Sequence, residues 1–233
     1  MTKDSIKSAI TPSSVGRWMP SSVRRWVRAR RFHGSGSYWE QRYASGGTSG
    51  AGSYGAPANW KARIVNDWVE KYSITSVVDL GCGDGNQLTL ANYPRYLGLD
   101  RSATAVMTCI RKFHDDASKS FLRYDPETTS DPEGWLRGDL ALSLEVIFHL
   151  VEDDIREDYL RRLFASADRF VVICSSDRSD IAQGPHEHHR AFSPWVEQNA
   201  TAWTLMQRIA PPTEIDMVSE LFLYGRDAST AGD

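Results

Sequence analysis

With 233 residues, the chain is long enough for one well-buried core and too short for two generous domains. Hydrophobic residues make up 41% and charged residues 24%, the profile of a soluble globular protein, and a net charge of −3 argues against nucleic acid as a partner. No apolar run approaches the roughly 20 residues that a transmembrane helix needs.

In chain order, residues 1–33 form a basic leader in which Arg17, Arg24, Arg25, Arg28, Arg30 and Arg31 alternate with Trp18 and Trp26. It lacks the continuous apolar stretch of a secretory signal. Arg30 interrupts its apolar stripe, which weakens a membrane-surface or RNA-contacting role. A partly disordered leader that packs its tryptophans on the domain, or on a second copy in a homodimer, is the favoured reading. Residues 34–57, GSGSYWEQRYASGGTSGAGSYGAP, could be a plain linker. Flexible linkers rarely carry aromatics such as Tyr38, Trp39, Tyr43 and Tyr54, so an ordered loop closing over a ligand fits better.

After Pro57, Trp60, Ile64, Val65, Trp68 and Val69 recur at helical spacing. Residues 76–80 read as a buried strand, 86–91 as the opening of a helix, and 96–99 as a second strand closed by Asp100. Ser102 is placed to cap a helix running to Phe113. Strands are expected at 120–124, 140–144 and 170–174, with a turn-rich loop, DPETTSDPEGW, after the first of these. Residues 151–165 form a helix with Ile155, Tyr159, Leu160, Leu163 and Phe164 inward. A short helix toward Asn199 and two strands, near 203–209 and 218–224, complete the pattern, so residues 34–226 form one domain and 227–233 a disordered tail. Strands alternating with helices imply an α/β fold: a doubly wound, mostly parallel, seven-stranded sheet with helices on both faces. Ligands bind such sheets beyond the carboxyl ends of the strands, where strand order reverses.

The stretch VVDLGCGDGNQL, residues 77–88, lies at such a strand end. Gly81, Gly83 and Gly85 allow a tight turn and close approach to a ligand. A pyrophosphate fingerprint needs a small residue where Asn86 stands, and the carboxylate of Asp79 repels phosphate but suits an ammonium or sulfonium. Asp100, ending the next strand, is placed for the hydroxyls of a ribose. Cys82, Cys109 and Cys174 form no Cys-x-x-Cys pair, which points to reduced thiols in a cytoplasmic protein.

VVDLGCGDGNQL followed by YLGLDRS resembles the first two motifs of the class I S-adenosylmethionine-dependent methyltransferases. DLALSLEVIFHLVEDD, residues 139–154, resembles their fourth motif, and YWEQRY resembles the segment that caps the cofactor in many members. The resemblance spans most of residues 38–176. It implies S-adenosyl-L-methionine as cofactor, with Asp79, Gly81 and Gly83 on the methionine moiety and Asp100 on the ribose. It also implies Ser143 or Leu144 meeting the amino group through a backbone carbonyl, Arg42 on the carboxylate and Asp125 on the adenine side.

His149 is the candidate general base, four residues beyond Glu145 and expected to share a helical face with it. The alternative is a histidine that only packs on the sheet. In HEHHR, residues 186–190, His186 and His188 could bind a divalent metal such as magnesium together with Glu145 or Asp177. They could equally hydrogen-bond a hydroxylated substrate or sit on the surface. The place after the fourth strand reads SLEVIF and lacks the Asn/Asp-Pro-Pro-aromatic run usual in nucleic-acid amino-methylating enzymes. Trp195 offers a stacking surface. GGTSG, SLEVIFHLVED and HEHHR together are similar to bacterial sugar and polysaccharide methyltransferases. The expectation is O-methylation of a sugar or glycan, with Glu145 and His188 assisting His149. A nucleic-acid methyltransferase with the leader as its arm, or a non-catalytic cofactor-binding module, are the alternatives.

Overall fold

The computed structural model describes residues 34–125, 128–129, 131–184 and 186–227. The expectations for the leader and for all but the first residue of the tail lie outside the described residues. The helices are α1 (Ser35–Ala44), α2 (Gly55–Lys71), α3 (Ala103–Lys112), α4 (Asp153–Ala165) and α5 (Ser193–Asn199). The strands are β1 (Val77–Leu80), β2 (Tyr96–Asp100), β3 (Lys119–Arg123), β4 (Gly138–Leu144), β5 (Ala167–Ser175), β6 (Trp203–Ile209) and β7 (Glu220–Arg226). They form one sheet in the order β3-β2-β1-β4-β5-β7-β6. Pairing is parallel from β3 to β5, and β7 runs antiparallel to both β5 and β6. Strand order reverses between β1 and β4, so the cleft belongs above those two strands.

The central strands β1, β4, β5 and β7 are largely buried on both faces and mostly apolar, whereas β3 and β6 at the edges are partly exposed. In β5, Val172 and Cys174 enter one core with Trp60, Ile64, Val65 and Trp68 of α2. Val171 and Ile173 enter the other, with Leu160, Leu163 and Phe164 of α4 and Val196 of α5. Truncating a fully buried leucine such as Leu163 to alanine costs about 2–5 kcal/mol. Ser102 caps α3 as expected, its side chain accepting from the Ala105 N–H at 3.1 Å. No described helix is long and apolar enough to cross a membrane.

Two elements differ from expectation: residues 35–44, read as part of an ordered loop, form helix α1, and the segment after the glycines is the other. The glycine loop opens no α-helix, only a single 3-10 turn over Gln87–Leu90. The Asn86 carbonyl is taken by both the N–H and the hydroxyl of Thr89, at 3.1 and 2.7 Å. The Asn86 amide is tied to the Ser53 carbonyl at 2.7 Å. Ala91 then turns extended and ends the helical path. One turn of 3-10 helix provides no macrodipole for a phosphate, which agrees with a ligand that is not a pyrophosphate.

Candidate active site

A cleft of about 160 Å³ lies at the carboxyl ends of β1, β2 and β4, roofed by α1 and residues 49–53. Its floor is the glycine loop. The N–H groups of Gly81 and Cys82 both donate to the Leu99 carbonyl, at 2.7 and 3.0 Å, and so fold the chain back at the strand end. Gly83 has φ 59°, and a Cβ there would stand 2.3 Å from Ser49 Oγ. Only glycine fits that conformation in that space.

Asp100 organises the loop. Its Oδ2 accepts the Gly83 N–H at 2.9 Å and its Oδ1 the Ser102 N–H at 2.8 Å. Burial pushes its carboxyl up to about 6, against those two donors. Each oxygen retains a lone pair for a ligand. Asp79 is buried, and its Oδ2 accepts the Tyr96 hydroxyl at 2.8 Å. Its Oδ1 has no hydrogen-bond partner among the described residues. Burial pushes this carboxyl up to about 7, with the Tyr96 hydrogen bond opposing. An orphaned carboxylate oxygen in a cleft wall is suited to a charged donor such as an ammonium.

The Gly/Ser/aromatic stretch is an ordered roof. Ser49 N–H donates to Asp84 Oδ2 and Asp84 N–H to Ser49 Oγ, both at 2.9 Å. The Tyr54 hydroxyl also donates to Asp84, at 2.8 Å. Glu40 of α1 accepts from the hydroxyls of Ser102 and Thr104, both at 2.6 Å, and so ties the roof to the start of α3. Those bonds hold its carboxyl below the usual range. Ser35, at the start of α1, donates through N–H and Oγ to Glu152, at 3.1 and 2.6 Å.

Of the residues singled out in the sequence, Asp79, Gly81, Gly83, Asp100, Leu144, Glu145 and His149 all line the cleft. Five others do not. Arg42 lies across the Trp39 ring, donating to the Thr48 carbonyl at 2.6 Å and to the Tyr38 hydroxyl. Asp125 faces Arg101 at 3.7 Å in a neighbouring pocket, and Tyr124 takes its place in the cleft wall. Ser143 is fully buried, its hydroxyl 2.8 Å from that of Tyr159, which itself donates to the Leu80 carbonyl at 2.7 Å. His186 stacks on Tyr38 with ring centroids 4.6 Å apart. His188 is fixed through its backbone, donating to the Phe148 carbonyl at 2.6 Å.

His149 sits at the end of a 3-10 turn, Ile147–His149, in a T-shaped contact with Trp39, ring centroids 4.8 Å apart. Its Nδ1 is 2.9 Å from the His186 carbonyl oxygen. That oxygen can only accept, so Nδ1 carries the proton and Nε2 is the basic nitrogen. Burial pushes the imidazole down to about 4. The expected helical face shared with Glu145 does not form, because Glu145 has φ 64° and breaks the turn before it starts. A non-glycine residue in that conformation at a strand end is strained, a feature concentrated at functional sites. The Glu145 carboxylate instead accepts from Cys174 Sγ at 3.2 Å.

The metal set does not assemble. Among the described residues no three His, Cys, Asp or Glu side chains stand together as ligands. Asp177 is committed to the start of α5, accepting from the N–H groups of Phe192 and Ser193, at 2.7 and 3.0 Å, and from the Ser193 hydroxyl. Trp195 packs on Phe164 in the core rather than in the cleft. Tyr96 and Glu40, which orient Asp79 and the roof, escape notice in the sequence. A tyrosine one strand over from an acidic strand end, and a glutamate inside an aromatic segment, were the available signals.

No protein-family model and no curated protein matches the sequence. Solved structures resemble the fold. Magnesium protoporphyrin IX methyltransferase from Synechocystis PCC 6803, with bound S-adenosylhomocysteine, aligns with TM-score 0.60 at 15% identity, over 89% of this chain and 100% of that one. N-methyltransferase NodS from Bradyrhizobium japonicum WM9, also with S-adenosylhomocysteine, aligns with TM-score 0.63 at 14% identity, over 84% of this chain and 99% of that one. The methyltransferase domain of the bacterial CtHen1-C aligns with TM-score 0.58 at 16% identity, over 73% and 98%. The chain thus has the Rossmann-like fold of the class I methyltransferases.

Proposed function

We propose that this chain is an S-adenosylmethionine-dependent methyltransferase acting on a hydroxyl of a sugar or glycan. The observation that carries the reading is one cleft in which the unpartnered Asp79 Oδ1, the loop-holding Asp100 and the neutral His149 meet. The residues fit the cofactor. Asp79 Oδ1 would accept its ammonium, Asp100 would receive its ribose hydroxyls, and the bare backbone at Gly81 and Gly83 would allow close approach. When bound, the cofactor supplies an electrophilic methyl group on a positively charged sulfur.

The chain's own residues do the rest. The roof of α1 and residues 49–53 excludes water and holds the acceptor oxygen close to the methyl, where proximity is worth up to roughly 7–11 kcal/mol. His149 Nε2 takes the proton that the hydroxyl loses as its oxygen gains the methyl. With its pKa near 4, the imidazole is neutral and ready throughout the physiological range. The Trp39 ring in the cleft wall supports a sugar as acceptor, since a flat ring suits the apolar face of a pyranose. The described residues supply no assembled metal ligand set, so no step is assigned to a metal. Free, buried Cys82, Cys109 and Cys174 agree with a reducing, cytoplasmic setting.

The test is methyl transfer from labelled cofactor to a panel of mono- and oligosaccharides, read by mass spectrometry. Transfer to RNA, protein or a small amine with none to any sugar would overturn the acceptor. Absence of calorimetric binding of both S-adenosylmethionine and S-adenosylhomocysteine would overturn the cofactor.

A further inference from the structure

Tyr159 of α4 packs on the core that holds Val78, Leu80 and Ala141, and it also lines the cleft. Its hydroxyl lies between two strands. It donates to the Leu80 carbonyl of β1 at 2.7 Å, where the oxygen can only accept. The single phenolic proton is then used. At the other contact, 2.8 Å long, the Ser143 hydroxyl of β4 therefore donates to Tyr159. Burial pushes the Tyr159 phenol up, which keeps its proton in place.

The sheet sets where this bridge falls. β1 and β4 pair at Val77 with Leu140, Val78 with Ala141 and Asp79 with Leu142, and their ladder ends there. At the next step each strand keeps only its outer neighbour: Leu80 pairs with Leu99 of β2, and Ser143 with Ile173 of β5. The strands part at this point, and the cleft opens above it. Tyr159 spans the gap at its first step, linking the two residues that the ladder no longer joins.

The bridge also fixes backbone on the cleft floor. The Leu80 carbonyl belongs to the same planar peptide unit as the Gly81 N–H, which donates to the Leu99 carbonyl at 2.7 Å. That unit is held on one side by Tyr159 and on the other by β2. Gly81 has φ 93° and no side chain to hold its place, so such bonds must orient it. Across the gap, Ser143 leads into Leu144 and Glu145, and the Glu145 N–H donates to the Cys174 carbonyl at 2.9 Å. Leu80, Gly81, Leu144 and Glu145 all line the cleft.

We propose that Tyr159 is a positioning residue whose hydroxyl ties Leu80 of β1 to Ser143 of β4 and so sets the spacing of the two strand ends that hold the ligand. That this ligand is S-adenosylmethionine rests on the methyltransferase reading. The tie between the strand ends is a property of the chain alone.

The experiment compares wild type, Tyr159→Phe, Ser143→Ala and the double variant at a temperature where each is folded by circular dichroism. Should Tyr159→Phe fail to fold, Ser143→Ala cuts the same bridge and leaves the ring in place. Calorimetry with S-adenosylhomocysteine should show about tenfold weaker binding for Tyr159→Phe and a similar loss for Ser143→Ala. The double variant should lose no more, because cutting either link opens the bridge. Without ligand, amide exchange read by NMR should be about tenfold faster at Gly81 and Cys82 and unchanged at Val172 in β5. Wild-type affinity in the variants, or exchange that rises equally at all three amides, would overturn the assignment and leave Tyr159 a hydrogen bond that only stabilises the fold. Losses that add in the double variant would overturn it as well, since the two contacts would then act separately. Failure of wild type to bind S-adenosylhomocysteine sinks the methyltransferase reading instead, and exchange at Gly81 and Cys82 still decides whether Tyr159 holds the strand ends.

Discussion

The two halves of the cleft are built by different means. The cofactor half consists of strand ends and backbone: N–H groups of Gly83 and Ser102 locked to Asp100, and Gly81 and Cys82 locked to Leu99. The half assigned to the acceptor has the rings of Trp39 from α1 and His149 in its wall, with Tyr38 and His186 stacked on each other outside it. The first follows from topology, since any sheet whose order reverses between β1 and β4 opens there. The second is carried on α1 and the segments after β4 and β5, and can change without disturbing the sheet. Substitutions in the two halves should accordingly separate binding from turnover.

The largest separation is expected at His149. His149→Ala should lower kcat by about 10²- to 10⁴-fold with calorimetric affinity for S-adenosylhomocysteine preserved. Turnover left intact would remove the base from the acceptor half. The next largest lies in the cofactor half. Asp100→Ala removes the partner of two backbone N–H groups and of the ligand hydroxyls, and should weaken cofactor binding about a hundredfold or more, near 2.8 kcal/mol. Unchanged affinity would show that the cleft holds its ligand elsewhere.

The same contrast governs what the sequence reveals. Asp79, Gly81, Gly83 and Asp100 are legible because strand, glycine loop and acidic strand end follow one another along the chain. The sheet is legible because apolar runs mark its central strands, while β3 (KSFLR) and β6 (WTLMQRI) carry weaker signals. The missing helix after Gly85 is not, because competition for the Asn86 carbonyl is a local event that periodicity does not record. The acceptor half is legible only in residue type. HEHHR shows imidazoles, but not that His186 would stack on Tyr38 and His189 be buried against Phe148, its Nδ1 2.6 Å from Ser176 Oγ.

Glycines on either side of the roof offer a finer comparison. Gly83→Ala places a Cβ 2.3 Å from Ser49 Oγ and 3.0 Å from the Tyr43 hydroxyl, at φ 59°. The roof must lift, so cofactor affinity should fall about tenfold, with a backbone cost of about 1–2 kcal/mol besides. Gly46→Ala has φ 81° but nothing within 4 Å of the added carbon. It should lose only the backbone cost, about 1–2 kcal/mol in a denaturant melt, with affinity intact. Equal affinity losses in the two variants would mean that the roof does not rest on the glycine loop.

The smallest effect is also the most selective, because pH addresses each half through a different group. The Asp79 carboxyl, near 7 when folded, binds a proton that the unfolded chain lacks between pH 4 and 7. Through that window rising pH lowers its contribution to apo stability while charging the oxygen proposed to take an ammonium. His149, near 4, stays neutral in the same window. Lowering the pH from 7 to 6 should therefore weaken cofactor binding about fivefold, the change in ionised Asp79, and leave kcat at saturating cofactor nearly flat. Asp79→Asn should abolish the pH dependence of affinity. A kcat that falls with a midpoint near 6.5, against a flat affinity, would reverse the assignment: the imidazole would then be titrating as an exposed histidine and the Asp79 carboxylate would already be fully charged.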